Sequence, residues 1–511
     1  MHRWAQAEST RTGRRRKPHG LHLAQSRPTL ALVKTNPPLL AFVFVLLAAL
    51  PAVARANPFE LYGASARAGG LGQAMTAKVS DWSSLWYNPG GLTQSQPHLD
   101  MGTLMSFDDV RVRLKERPAG YDVPNLGSAS PAIPSSYRLN ARGDSTDVSN
   151  LYDFVIGATG SFSFDNLRVG VAVALPMTRL GQQVSHYADE REQYVSNRLN
   201  FELYGDRSQH QVILVGAAYQ VQRWLSLGVA LSVMPEGTAN STVYLDDAAR
   251  QQDVRISVQN QQIGRAAPIV GAVAKPLDNL RFGLSWRSAN YFALNLKNAI
   301  QIRGFQGDAK SFPVQQEVTL RLNSSPDQLA AGVSGELGAW SLSADTVLSR
   351  WSDYLDSQNQ KAGFHNTISL RAGAEYQAAN ERQLRLGLQW EPSPVPAQTG
   401  RTSYVDNDRV VMTAGMSHGL EVFHRQVTLS WYLGLHHLLA RDTNKAAAAS
   451  YPTCAPGVTG LCDEVPDTTK DPATGLASAA AAGLQTGSPG FPGWTSSGNL
   501  LAFGMNLQWG F

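Results

Sequence analysis

The chain closes on 501-LAFGMNLQWGF-511, in which Leu501, Phe503, Met505, Leu507, Trp509 and Phe511 alternate with Ala502, Gly504, Asn506, Gln508 and Gly510. Successive side chains of a strand point to opposite faces, so this segment carries one apolar face and one small or polar face. A soluble sandwich strand satisfies that pattern too. Closing the chain on the alternation itself, with aromatic residues at the interface end, is what a membrane β-barrel needs to seal its final seam. Trp509 and Phe511 are therefore the expected C-terminal signal for the barrel assembly machinery, and outer-membrane lipids and lipopolysaccharide are further expected partners.

The front of the chain reads as a signal peptide over residues 1–56. Arg14, Arg15, Arg16 and Lys17 supply a basic stretch, residues 39–50 (LLAFVFVLLAAL) an apolar core of 12 residues, and Ala54-Arg55-Ala56 a small-x-small cleavage site. That core falls short of the ~20 residues a spanning helix needs. The mature chain is expected to begin at Asn57. Of the 44 Lys and Arg and 40 Asp and Glu in the 511 residues, the first 56 hold 9 and 1, leaving 35 basic against 39 acidic. The basic balance thus belongs to the leader, and nucleic-acid binding loses its support. Cys454 and Cys462, the two cysteines of the chain, lie in a loop rich in Pro, Gly and Thr and are expected to form a small disulfide after export. Asp463 and Glu464 beside them add too little for a metal site. The run 69-GGLG-72 follows no strand and lacks the downstream Lys of a phosphate loop, so no cofactor is expected.

Beyond the leader, no stretch reaches the roughly 18 apolar residues of a spanning helix. Period-two segments bounded by turn residues recur fourteen times, at 98–115, 151–164, 167–180, 206–221, 223–238, 252–274, 279–297, 312–336, 339–355, 364–377, 382–391, 405–418, 424–440 and 499–511. Short links at 165–166, Gln222, 275–278, Gly338, 378–381 and around Gly419 alternate with long ones at 116–150, 181–205, 298–311, 392–404 and 441–498. Short turns on one side, long loops on the other and an even strand count are the marks of an outer-membrane barrel with both chain ends in the periplasm. Side-chain phase agrees. Leu280, Phe282, Leu284 and Trp286 oppose Arg281, Gly283, Ser285 and Arg287, and Leu384, Leu386, Leu388 and Trp390 oppose Arg385, Gly387, Gln389 and Glu391. A charge on the lipid face at mid-depth costs ~2–4 kcal/mol, so Arg281, Arg287, Arg371, Glu375 and Arg385 are expected to face the lumen.

Residues 57–97 are too rich in Gly and Ala for membrane strands. A lumen lined with charges needs partners, so this segment is expected to fold into the barrel as a plug, or hatch. Gly69, Gly70 and Gly72 permit tight turns, and Asn88-Pro89-Gly90 is a strong turn signal. The expected domains are a signal peptide over 1–56, a plug over 57–97 and a barrel over 98–511.

At this point the chain resembles a known family, the outer-membrane transporters of long-chain fatty acids and hydrocarbons of the FadL and TodX type. Ser65, Gly70, Leu71, Gly72, Asp81, Ser84, Tyr87, Asn88 and Pro89 follow that family's plug pattern within residues 64–92. LRLGLQWEPSPVP at 384–396 and VDNDR at 405–409 look like its strand, Pro-containing loop and Asp-Asn-Asp-Arg element, and shorter pieces at 281–288, 325–332 and 344–351 are also similar. The chain departs from the family at Gly90, where Ala is usual, and in the long 441–498 loop. The resemblance implies a monomeric, 14-stranded antiparallel transmembrane barrel, closed by an N-terminal plug, that takes up long-chain fatty acids or hydrocarbons by plug movement and lateral release through the wall. It implies a ligand path past Asn57, Pro58 and Phe59, and a plug motif of Gly70, Gly72, Asp81, Ser84, Asn88 and Pro89. It also implies an inward kink in the third strand, for which Pro176 is the candidate because it cannot donate to the ladder.

Two other classes compete with this reading. A lipid-modifying outer-membrane enzyme would draw on His436 or His437 near Ser430, but the two histidines face opposite sides, and the Gly-x-Ser-x-Gly run 415-GMSHG-419 closes a period-two strand rather than opening a helix as a nucleophile elbow does. A general diffusion porin conflicts with an occupied lumen. No catalytic residue and no metal ligand are expected.

Overall fold

A computed structural model describes residues 58–115, 144–145, 150–161, 166–177, 186–187, 198–200, 211–234, 236–247, 252–303, 314–356, 360–378, 382–400, 402–422, 425–446 and 490–510. The signal peptide, Asn57, Cys454, Cys462, Phe511 and most of the 441–498 loop lie outside the described residues.

Fourteen strands alternate in direction. They are β1 (His98–Leu114), β2 (Leu151–Ser161), β3 (Leu167–Pro176), β4 (Val212–Gln222), β5 (Leu225–Met234), β6 (Arg265–Leu277) and β7 (Leu280–Arg287), followed by β8 (Asp327–Leu337), β9 (Trp340–Arg350), β10 (Thr367–Gln377), β11 (Gln383–Glu391), β12 (Arg409–Val422), β13 (Arg425–Asn444) and β14 (Gly493–Gly510). Each pairs with its neighbours in sequence, and β1 pairs both with β2 and with β14, from His98↔Gly510 to Leu114↔Trp494. The sheet is therefore a closed ring, which removes every unpaired edge. His98 and Gly510 lie at the end that carries the short turns, and the long connections leave from the other end.

The alternation sets what each face meets. On β11, Leu386 is 61% exposed and its neighbour Arg385 is 3% exposed. Leu384, Leu388 and Trp390 share the outward row with Leu386, and Phe282, Leu284 and Trp286 form the equivalent row on β7. From Leu329 to Leu337 the outward row of β8 runs ~26 Å, at about 3.3 Å per residue, which matches the apolar band of an outer-membrane barrel. Trp224 and Trp340 stand exposed at the turn end, and Trp286 and Trp390 towards the loop end, as two aromatic girdles.

Three of the segments read as single strands are each two. The segment 252–274 divides into Gln252–Gln262 and β6, 279–297 into β7 and Asn290–Arg303, and 312–336 into Val314–Ser325 and β8. The loop-end halves join Gly237–Asp247 in a separate four-stranded sheet. Pro326 supplies the physical reason at one break, since it has no N–H to give the ladder. The strand 237–247 falls in a stretch (GTANSTVYLDD) that is mostly polar, so apolar alternation does not reveal it. The turn between β12 and β13 lies past Val422, because Gly419 still pairs with Thr428. In β3 both ladders run without a register shift, and Pro176 is the last strand residue, opposite Asp153.

Candidate functional site

Residues 58–95 form a compact chain of short elements: α1 (Pro58–Tyr62), α2 (Ala66–Gly70), α3 (Ser84–Tyr87) and a 3₁₀ turn (Pro89–Gln94). Ser65 caps α2 by accepting from the Ala68 N–H at 3.2 Å. Gly72 and Gln73 both take left-handed backbone, φ 57° each, and reverse the chain after α2. The Gln73 side chain then donates to the Leu61 carbonyl at 3.2 Å and accepts from the Tyr87 hydroxyl at 3.2 Å, tying α1 to α3. Asp81 accepts from the Ser83 N–H at 2.8 Å, and the Ser84 hydroxyl donates to the Asp81 carbonyl. Asn88 donates to the carbonyls of Thr76 at 2.7 Å and of Ala272 on β6 at 2.9 Å, while its own oxygen accepts from Gly90 N–H. The motif residues Gly70, Gly72, Asp81, Ser84, Asn88 and Pro89 are thus turn-makers and cross-links of one folded unit.

This unit meets the wall where the wall has no side chains. A Cβ at Gly157 on β2 would overlap the Trp82 ring, at Gly228 on β5 the Pro89 backbone, at Gly271 on β6 the Asn88 amide, at Gly283 on β7 the Thr76 carbonyl, and at Gly387 on β11 the Gly72 nitrogen. These strands lie on different sides of the ring, so the unit sits within it. Several glycines face each other across the ladder, as in Gly228↔Gly271, Gly283↔Gly332 and Gly373↔Gly387. The signal was present in the sequence as a glycine at matching depth on the inward face of successive strands. Single-strand alternation does not expose it, because depth becomes comparable only once registers are known. Gly72→Ala places a Cβ 2.8 Å from the Leu388 nitrogen on left-handed backbone. We expect it to cost at least about 1–2 kcal/mol from the backbone alone, read as faster hydrogen exchange of the amides of residues 58–95. Unchanged protection would count against the tight fit.

Polar contacts complete the attachment. The Glu375 carboxylate on β10 pairs with Arg67 at 3.2 Å, Lys78 at 3.1 Å and Arg385 of β11 at 2.7 Å, all in a largely dry setting. Burial pulls the Lys78 ammonium below its ordinary pKa against the opposing pull of Glu375. For Arg67 burial acts in the same direction, but Glu375 overrides it and the guanidinium is held above its usual value. Thr413 of β12 accepts from Gly72 N–H and donates to the Gly70 carbonyl, both at 3.1 Å. Asp345 of β9 accepts from Thr76 N–H at 2.7 Å, and Asn506 of β14 from Ala66 N–H at 3.1 Å. The lumen-facing charges were legible from phase, but which of them grip residues 58–95 was not.

Pro58 and Phe59 are buried within the unit, with the Phe59 ring 5.8 Å from Trp82 and 6.2 Å from Trp86. The Arg287 guanidinium lies over the other side of this cluster, 3.4 Å from the Trp86 ring centroid. It is Glu60 and Leu61 that reach a cavity, of about 60 Å³, walled also by Trp351, Arg371, Glu391 and Arg409. Glu60 accepts there from Ser325 and from Gln328, each at 2.9 Å, and Glu391 pairs with Arg371 at 3.3 Å and with Arg409. Ser430 and His436 both point inward on β13 but stand ~20 Å apart along the strand. His436 packs against Tyr62 at 5.4 Å between ring centroids, and His437 faces outward beside Asn499, so no nucleophile and base are brought together.

Comparison with known proteins completes the assignment. Residues 204–448 match the family model described as outer membrane protein transport protein (OMPP1/FadL/TodX). A Pseudomonas aeruginosa FadL homologue superposes with a TM-score of 0.53 at 12% identity, over 90% of this chain and 99% of that one. The P. putida toluene transporter TodX superposes with a TM-score of 0.51 at 12% identity, over 88% of this chain and 99% of that one. No curated protein matches the chain by sequence. At such identity the superpositions establish the fold, a 14-stranded antiparallel outer-membrane barrel, and the family model adds transport rather than catalysis. Over residues 204–448 the chain is thus similar to the OMPP1/FadL/TodX family of outer-membrane transport proteins, and its barrel is of the FadL/TodX type.

Proposed function

We propose that the protein takes up hydrophobic molecules, long-chain fatty acids or hydrocarbons, from outside the cell, with residues 57–97 acting as a movable plug and the ligand leaving laterally through the barrel wall. The observation that carries this reading is the fit of residues 58–95 against inward glycines on many strands, which suits a closed barrel better than an open aqueous pore. Similarity to the P. putida toluene transporter TodX supports the chemical class. Apolar solutes gain ~25 cal/mol per Å² of surface removed from water, so a lumen that offers apolar surface beyond the polysaccharide layer supplies the driving force for capture. The path past Pro58 and Phe59 requires the Phe59 ring to leave Trp82 and Trp86, and the cavity beside Glu60 and Leu61 is where such a movement would begin. Trp509, paired with Leu99 and Val427 at the turn end, serves with Phe511 in this reading as the signal for the assembly machinery.

The test is uptake by cells that depend on this protein, measured with labelled toluene and labelled oleate. Entry of at least one is expected to fall severalfold when the protein is absent. Equal entry of both with and without it would overturn the reading. Mass spectrometry of apolar molecules co-purifying with the barrel identifies the substrate directly.

A further inference from the structure

The connection from β11 to β12, described over 392–400 and 402–408, leaves the wall at Glu391 and returns at its ladder partner Arg409. One side of this loop is tied down by charge. The Arg441 guanidinium stands on β13 where the ladder to β14 shifts register between Leu438 and Arg441, an irregularity that re-aims a side chain. It donates to the Val395 carbonyl at 2.7 Å, the Ser393 hydroxyl at 3.0 Å and the carbonyls of Asp406 and Pro396 at 3.2 Å each. Lys445 donates to the carbonyls of Thr402 at 2.6 Å and Gly400 at 2.9 Å. On the same side, the Asn407 amide reaches the Leu439 carbonyl at 2.8 Å and the Ser496 carbonyl at 3.0 Å. Backbone bonds run from Val405 N–H to Asn200 and from Leu439 N–H to Asp408, both at 2.9 Å. The Asp-Asn-Asp-Arg element is thus the foot of a clasp.

The other side of the loop is held by apolar contact. Tyr404 sets its ring edge-on to Phe364 at 5.0 Å and to Tyr354 at 6.3 Å between centroids, and Val395 is buried in the same cluster with Trp351. Trp351, Tyr354 and Phe364 belong to the neighbouring connection from β9 to β10. A backbone bond from His365 N–H to the Pro394 carbonyl, at 3.0 Å, also crosses this seam. The two sides respond differently to an apolar molecule. Ring contacts exchange for contacts with an incoming apolar group at little net loss, whereas carbonyls held by a cation find no substitute in it. Pro392, Pro394 and Pro396 fix their own φ, so this arm moves as a stiff piece. Beneath it lies the lumen cavity of about 60 Å³, walled from the loop by Pro392, Pro394, Asp406 and Asn407 and from the N-terminal unit by Glu60 and Leu61.

We propose that this loop is an outer gate, which an apolar molecule opens along the seam between Tyr404 and Phe364 while the loop pivots on the clasp of Arg441 and Lys445. The proposal rests on the reading of the chain as a carrier of hydrophobic molecules and gives that carrier a second closure, in series with residues 58–95. Opened in turn, two closures pass a ligand with no moment at which water runs through the barrel.

The test follows single amides by hydrogen exchange in full-length protein held in lipid nanodiscs, with toluene and oleate as probes. Either probe is expected to speed exchange at His365 roughly tenfold or more, while the Val405 and Leu439 amides on the clasp side keep their protection. Tyr404→Ala is expected to speed His365 without any probe. Arg441→Gln is expected to do the reverse and loosen Val405 and Leu439. Ser369 lines the cavity under the loop, so Ser369→Cys, with Cys454→Ser and Cys462→Ser, is expected to react faster with a small charged thiol reagent when a probe is present. Exchange at His365 that neither probe nor Tyr404→Ala alters overturns the gate. Equal acceleration at all three amides overturns the pivot, and a labelling rate indifferent to both probes overturns access through the seam. These readouts are local, so cellular uptake that proves independent of the protein while they hold counts against the carrier reading and not against the gate.

Discussion

Removal of residues 57–92 is expected to turn a barrel that passes little ionic current in a planar bilayer into one with steady, large channels. The reasoning starts from the wall. Where Trp82, Thr76, Asn88 and Gly72 approach it, the strands present Gly157, Gly283, Gly271 and Gly387, so no side chain fills the space if the segment is absent. Barrels only slightly larger leave an aqueous channel when their lumen is unfilled. Since a deletion can also disturb assembly, Gly387→Trp supplies a second route to the same outcome with the chain intact, because its side chain claims the position of the Gly72 nitrogen. Current indistinguishable from that of the unaltered protein in both variants would mean that residues 57–92 do not close the lumen.

Glu375→Ala is expected to loosen the same segment without opening the barrel ladder. The substitution leaves Arg67, Lys78 and Arg385 buried with the shared carboxylate gone. Breaking a buried ion pair by removing one partner costs about 3–5 kcal/mol, which is a factor of roughly 100 to several thousand in a docking equilibrium. The N–H groups of Ala66 and Gly72, which donate to Asn506 and Thr413, report that equilibrium through hydrogen exchange. They should exchange at least about 100-fold faster, while amides of the β10–β11 ladder keep their protection. Glu375→Gln should fall between, since it retains acceptor capacity without the charge. Wild-type exchange at both amides in the alanine variant would show that the cluster contributes nothing to docking.

Strand number and facing were legible because lipid imposes a simple demand. Every outward position from Leu280 to Trp286 and from Leu384 to Trp390 must be apolar, and the phase follows. Past the girdles that demand ends. β14 begins at Gly493 rather than at residue 499, since 493-GWTSSGN-499 lies beyond the outward apolar row and alternates in nothing a hydrophobic pattern can detect. The break at Pro326 did leave a trace, since the apolar positions change phase across it, from Val318, Leu320 and Leu322 to Leu329, Ala331 and Val333. The motif residues of 58–95 could be named from resemblance, but their work could not. Phe59, expected on the ligand path, packs between Trp82 and Trp86, and Glu60 and Leu61, which carried no signal, reach the cavity. The triple pairing of Glu375 depends on β10 and β11 meeting at Glu375↔Arg385 with residues 67 and 78 laid over them, a coincidence in space that no spacing along the chain encodes.

The paired glycines have a consequence for how such a cylinder can work. Where glycines pair across neighbouring strands, as at Gly228↔Gly271, Gly283↔Gly332 and Gly373↔Gly387, the bore is bounded by backbone rather than by side chains. If residues 58–95 move as proposed, a shift of little more than the thickness of one ring clears a passage along such a stretch of wall. The hoop of hydrogen bonds around it can stay unstretched throughout.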